Sequence, residues 1–164
     1  MHDSYDSLPL MHGEAVDPAP FSNARFVAKG IPCDVVGGHQ CYGAELISQT
    51  LAEAAQSIDS AGLQAIPVCV DHRDGCILGA YSLLNITRHI KCLDLKRSIV
   101  REGNDGALTA VSKYVIQSTA IPSDAGFFRV AEFPYSIMVA NWAVKMLVAC
   151  GSVKGMALIG VEAS

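Results

Sequence analysis

This 164-residue sequence has little charge: Asp, Glu, Lys and Arg make up 17% of it, against 51% hydrophobic residues. A chain so poor in charge and so rich in apolar residues is not disordered in character, nor a highly charged nucleic-acid binder. It points to a large buried fraction, or to an apolar surface that a partner covers. The few charges sum to −4. Phosphate backbones and anionic lipids repel that sign, so neither nucleic acid nor a membrane surface is an expected partner. No uninterrupted apolar run is long enough to span a bilayer: the longest, SIMVANWAVKMLVACG, is broken by Asn141 and Lys145. The opening residues MHDSYDSLPLMHGEAVDPAP lack the basic start and apolar stretch of a secretory signal. A cytoplasmic protein is expected. Cysteine is not scarce, but its metal spacings are. Cys33, Cys41, Cys69, Cys76, Cys92 and Cys150 form no C-x-x-C pair, and in a reducing compartment they read as free, buried thiols.

What is present organises the chain as a single α+β domain over residues 23–164, after an irregular N-terminal lead-in over 1–22 with three prolines. ARFVAKGIPCDVV offers short strand pieces around Gly30 and Pro32. In AELISQTLAEAAQSID, Ile47, Leu51, Ala54, Ala55 and Ile58 recur at helical spacing and predict a helix closed by Gly62. A β-hairpin is expected next, with the β-branched run Ile66 to Val70, a turn holding Asp74-Gly75 and a second strand from Cys76. REGNDG, residues 101–106, is a polar turn, and LTAVSKYVIQSTA another strand. GFFRVAEFPYSIMV gives two strands parted at Pro134. NWAVKMLVAC is a second helix ended by Gly151, and GMALIGV a closing strand. The expected architecture is a mainly antiparallel sheet packed by two principal helices. The two helix-glycine-strand stretches are alike in period, which two ordinary αβ units explain as well as a duplication.

Few residues group in ways that chemistry needs. His89, Cys92 and Asp94 lie within six positions, but on a strand Cys92 and Asp94 point away from His89. Arg88, on the apolar face of that strand, needs a salt bridge at a sheet end or a partner. Cys69, His72 and Cys76 around the hairpin tip are a weak zinc set, lacking a fourth ligand. Gly37, Gly38 and Gly43 precede the first helix but match neither phosphate-binding loop motif. His39 and Cys41 in that loop share a face without a third group to orient the imidazole. Glu45 with Glu53, and Asp94 with Asp105, are not spaced as an acid-base pair. Trp142 reads more readily as core than as an exposed anchor. No catalytic residue and no cofactor is expected. A ligand-sensing module using the glycine loop and a zinc-dependent enzyme using Cys69, His72 and Cys76 stay open as alternatives.

Several segments in order carry a resemblance: LQAIPVCV, then YSLLNITRHIKCLD, then FFRVAEFPYSIMVANWAVKMLVACGSVKGMALIGV, with the helix near Ser48 beside a V-S-x-x-L-A element. Over roughly residues 24–161 the chain resembles the eleventh catalogued immunity-protein family of bacterial polymorphic toxin systems. Its pattern has a Y-x-L-L-N-V-x-R-x-V-x-C-x-D stretch and a last helix that starts with serine. Here Ala140 stands in place of that serine, and Met156 to Gly160 lacks the usual aromatic. The resemblance implies an antitoxin without catalytic residues, binding and occluding a cognate toxin encoded by the adjacent gene. On that implication, the charged loops of a charge-poor chain are the expected toxin-facing surface: Asp71, His72, Arg73 and Asp74 at the hairpin tip, and Arg101, Glu102 and Asp105 in the later turn.

Overall fold

The structure is a computed structural model describing residues 8–22, 24–28, 33–36, 44–72, 77–151 and 153–164. A short helix, α1 (Leu8–His12), leads into strands β1 (Arg25–Ala28), β2 (Val35–Val36) and β3 (Glu45–Ser48). Helix α2 (Gln49–Ile58) follows, then the long strands β4 (Leu63–His72) and β5 (Ile77–Ile86). These five strands make one sheet in the order β1-β4-β5-β3-β2, antiparallel but for the β1–β4 pair. The expected hairpin is therefore its centre, although the turn at 73–76 lies outside the described residues. Alternation gives the sheet two buried faces. Ile66, Val68, Val70, Tyr81 and Leu83 pack on one side, and Leu63, Leu84 and Ile86 meet α2 on the other. Pro67 is tolerated inside β4 because β1 pairs with it only from Cys69 onward, leaving an edge there.

The helix expected over residues 44–59 starts only at Gln49. As a strand, β3 places Leu46 and Ile47 in the cores on opposite sheet faces, which a helix at that point cannot do. Ser48 then caps α2: its Oγ accepts the Leu51 N–H at 3.3 Å. Leu51, Ala52, Ala54 and Ala55 face the core, while Glu53, Gln56 and Ser57 face solvent. The glutamate pair Glu45 and Glu53 is thereby split between a strand and a helix.

The second half supplies β6 (His89–Ile90), β7 (Ile99–Glu102), β8 (Leu108–Lys113), β9 (Val115–Ile116), β10 (Phe127–Val130), β11 (Phe133–Val139), helix α3 (Asn141–Ala149) and β12 (Glu162–Ala163). Three strands form a second sheet, β11-β10-β6, and β7–β8 and β9–β12 pair as two-stranded ribbons. In β10, Phe127 joins the core beneath α2, while Phe128 and Val130 join a third cluster with Ile90, Cys92 and Leu93. The fold is α+β with mostly antiparallel pairing, and its strands divide among several sheets.

Five expectations shift. The stretch from Leu84 to Cys92 is not one strand: the Thr87 and Arg88 N–H groups both bond Gly62 O, turning the chain from the first sheet to the second. The break before β11 falls at Ala131–Glu132 rather than at Pro134, which lies inside the strand. The strand expected from residue 108 divides at Tyr114. Among the described residues the expected closing strand GMALIGV pairs with no strand, and Glu162–Ala163 just beyond it pairs with β9. Residues 8–22, expected as an irregular lead-in, hold a helix and a 3-10 turn, and place Leu10 and Phe21 in the core.

Candidate functional site

Charged residues were the expected site, and the structure brings several to internal partners. Arg25 donates from Nε and Nη2 to the two Asp71 carboxylate oxygens, both at 2.9 Å. Those hydrogen bonds hold the Asp71 carboxyl below its ordinary range and raise the Arg25 guanidinium. Asp71 thus reaches β1, 46 positions away in sequence. The side chain of His72, and the whole of Arg73, Asp74 and Cys76, lie outside the described residues, as do His39, Cys41 and the loop glycines Gly37, Gly38 and Gly43. On the later ribbon, Asp105 accepts the Ala107 N–H at 3.1 Å and shapes a turn in which Gly106 takes φ +80°. Arg101 and Glu102 belong to β7 rather than to the turn. Both are exposed, and neither forms an ion pair with a described residue. The described residues of the two expected loops fall in different sheets, Asp71 on β4 and Arg101 and Glu102 on β7, with no hydrogen bond between them.

The interior polar groups hold the fold. Arg129, 1% exposed within the apolar strand FFRV, donates to the carbonyls of Ile86 (2.8 Å), Pro134 (2.7 Å), Met11 (3.2 Å) and Leu10 (3.2 Å). One guanidinium thereby joins α1, β5 and β11. Burial lowers its pKa, and the charge of Glu45 acts the other way. Asp59 makes a second junction. Its Oδ2 accepts from the Gly126 and Phe127 N–H groups, and its Oδ1 from Gly62 N–H and Arg88 Nη2, at distances of 2.9 to 3.2 Å. The partner that Arg88 needs is this carboxylate, with Asp124 at 3.3 Å as a second. Sequence reasoning did not single out Arg129; a lone cation inside an otherwise apolar strand was the available signal.

Among the described residues no three His, Cys, Asp or Glu side chains converge to hold a metal ion. His89 is exposed and contacts the carbonyls of Thr87 and His12, while Cys92 is buried. Burial, with the Glu132 charge behind it, pushes the Cys92 thiol up to about 11, which opposes a thiolate nucleophile. Among the described cysteines, Cys69 and Cys150 are exposed and Cys33 half-buried, so the expectation of buried thiols holds there for Cys92 alone. Trp142 is 37% exposed rather than enclosed.

What emerges is an α+β protein whose described buried charges are engaged in joining its own elements. Its sequence matches the Immunity protein family (Imm11) over residues 20–163, nearly the whole chain, and the chain belongs to that family. The matched span covers the Ser48 cap, the Asp59–Arg88 junction and Arg129. No curated protein matches the chain. No described helix is long and apolar enough to cross a membrane.

Proposed function

We propose that this chain is an antitoxin that neutralises a cognate bacterial toxin by binding it directly and covering its working surface, without catalysis. The observation that carries the reading is membership of an immunity protein family over residues 20–163. The interior supports it, since Arg129, Asp59 and Arg88 are engaged in joining elements. In this reading the partner is a toxin domain encoded by the adjacent gene in a polymorphic toxin system. The two proteins meet in the cytoplasm, and interbacterial competition is the setting. Neither nucleic acid nor membrane takes part. The surface would be of standard size, about 800 Å² on each partner.

The charged loops belong to that surface in this proposal. Arg101 and Glu102 are the best placed of them, being exposed and outside the ion pairs of the described chain. Asp71 to Asp74 and Asp105 form the remainder. The test is co-expression with the adjacent toxin, reading growth rescue and co-purification. Rescue with a stoichiometric complex is the expected result; rescue without any complex would overturn binding as the mechanism. Alanine at Arg101 and Glu102 together should weaken affinity, mainly by slowing association. Unchanged affinity removes that ribbon from the surface.

A further inference from the structure

Helix α3 is apolar almost all round: of its nine residues only Asn141 and Lys145 are polar. A helix of that character is normally enclosed. Here Ala143 and Leu147 are buried, but Trp142, Met146 and Val148 stand 37%, 46% and 57% exposed. Helix α2, by contrast, turns a polar face outward. Beside α3 runs the segment read from sequence as a closing strand. The Lys154 N–H bonds Asp34 at 3.0 Å and its carbonyl accepts from Val35 at 3.1 Å, which fixes one end on β2. The other end is fixed by β12, where Glu162 meets Lys113 and Arg97. Between these anchors no strand pairs with residues 156–161 among the described residues, and Leu158, Ile159 and Val161 are 52%, 90% and 43% exposed. A cleft of about 180 Å³ joins segment and helix, lined by Val144, Leu147, Val148, Val153, Met156 and Leu158.

Charge says what fits. From Phe133 to Val161 the sequence holds Lys145 and Lys154 and no acidic residue, although the chain as a whole carries −4. A second copy would bring these lysines against their equivalents. An anionic membrane would meet two local positive charges but a net negative protein. A heterologous protein with carboxylates around an apolar core matches both features.

We infer that the outer face of α3, with residues 156–161, forms the apolar centre of the toxin-binding surface and takes an apolar toxin segment flanked by carboxylates. This rests on the immunity reading. Tryptophan and methionine are favoured at the centres of interfaces. The two fixed ends restrict the path of the backbone between them before binding, which lowers the ordering cost.

The experiment measures binding of the purified chain to the toxin domain of the adjacent gene, as wild type, as Met146→Asp, as Ile159→Asp and as the Lys145→Glu/Lys154→Glu pair. Melting curves accompany each variant; the altered side chains all face solvent, so folding should persist. Each aspartate variant should bind roughly thirtyfold or more weakly, the effect of a central anchor. The lysine pair should bind more weakly, with a flatter salt dependence. If the wild type does not bind, the immunity reading and this inference fall together. Wild-type binding that both aspartate variants retain within about threefold overturns this placement alone. Tighter binding by the lysine pair overturns the acidic flank. Sedimentation and flotation with anionic phospholipid vesicles complete the test. A dimer or vesicle complex abolished by Met146→Asp, with toxin affinity unchanged, assigns the face to that occupant and refutes the proposal.

Discussion

Arg129 illustrates how one side chain can organise several elements. Replacing it with methionine keeps the volume but removes the donors to four carbonyls on three elements. A buried acceptor left unsatisfied costs about 1–3 kcal/mol; Ile86 O is left so, while Leu10 O keeps the Gly13 N–H, and Arg129→Met should lower unfolding free energy by about 1–3 kcal/mol in chemical denaturation. Amide exchange should locate the loss first in residues 8–22. Gly13 belongs to the same junction: at φ +72° a Cβ would sit 2.3 Å from Ile86 O and 2.5 Å from the Arg129 side chain. Cys92 yields a pH dependence. Its folded pKa, about 11, lies above the ordinary thiol value of 9.0. The stability it contributes is therefore complete below pH 9 and is lost as pH rises towards 11. Cys92→Ala should reduce that alkaline loss, read as the unfolding midpoint at pH 8 and at pH 10.5. An unchanged slope assigns the loss to other groups.

Elements were legible in the sequence to the extent that local pattern decided them. The β4–β5 hairpin followed from β-branched alternation, and α2 from its apolar spacing. Residues 44–48 did not, since Leu46 and Ile47 suit either period and only pairing with β5 settles the matter. GMALIGV has a strand's composition, but a strand also needs a neighbour, and that is a property of the rest of the molecule. The candidate site was less legible. Charge density marked Asp71, yet its partner Arg25 is 46 positions away, and no periodicity reports that Trp142, Met146 and Val148 of α3 stand exposed. The Ala140 departure did carry through. It sits at the α3 N-cap with φ −64° and ψ 145°, and no side chain caps the helix. Ala140→Ser restores an acceptor in a backbone conformation already suited to it. It should stabilise by about 0.5–2 kcal/mol, measured as a higher denaturant midpoint at unchanged slope.

At the scale of the whole molecule, residues 8–22 behave as part of the interior although the family match begins only at residue 20. Leu10 and Phe21 lie against the face of the first sheet that carries Ile66, Val70 and Leu83. Asn85 and Gln64 secure the segment further, bonding Glu14 O at 2.8 Å and Val16 O at 3.1 Å. Deleting residues 1–19 should uncover that sheet face and yield aggregating protein. Soluble yield and binding of a hydrophobic dye are the measurements, and a soluble, cooperatively melting product would show the segment to be dispensable.

The Arg129 junction also sets an order of events during synthesis. Leu10 leaves the ribosome early, but the guanidinium that holds its carbonyl is encoded 119 positions later. At about 5–20 residues per second, the first segment waits roughly 6 to 24 seconds for its anchor. Between completion of β5 at Ile86 and synthesis of Arg129, residues 8–22 are held on the β4–β5 hairpin by Asn85 and Gln64 without the guanidinium, so the nascent chain passes through a window in which this lid is less firmly fixed.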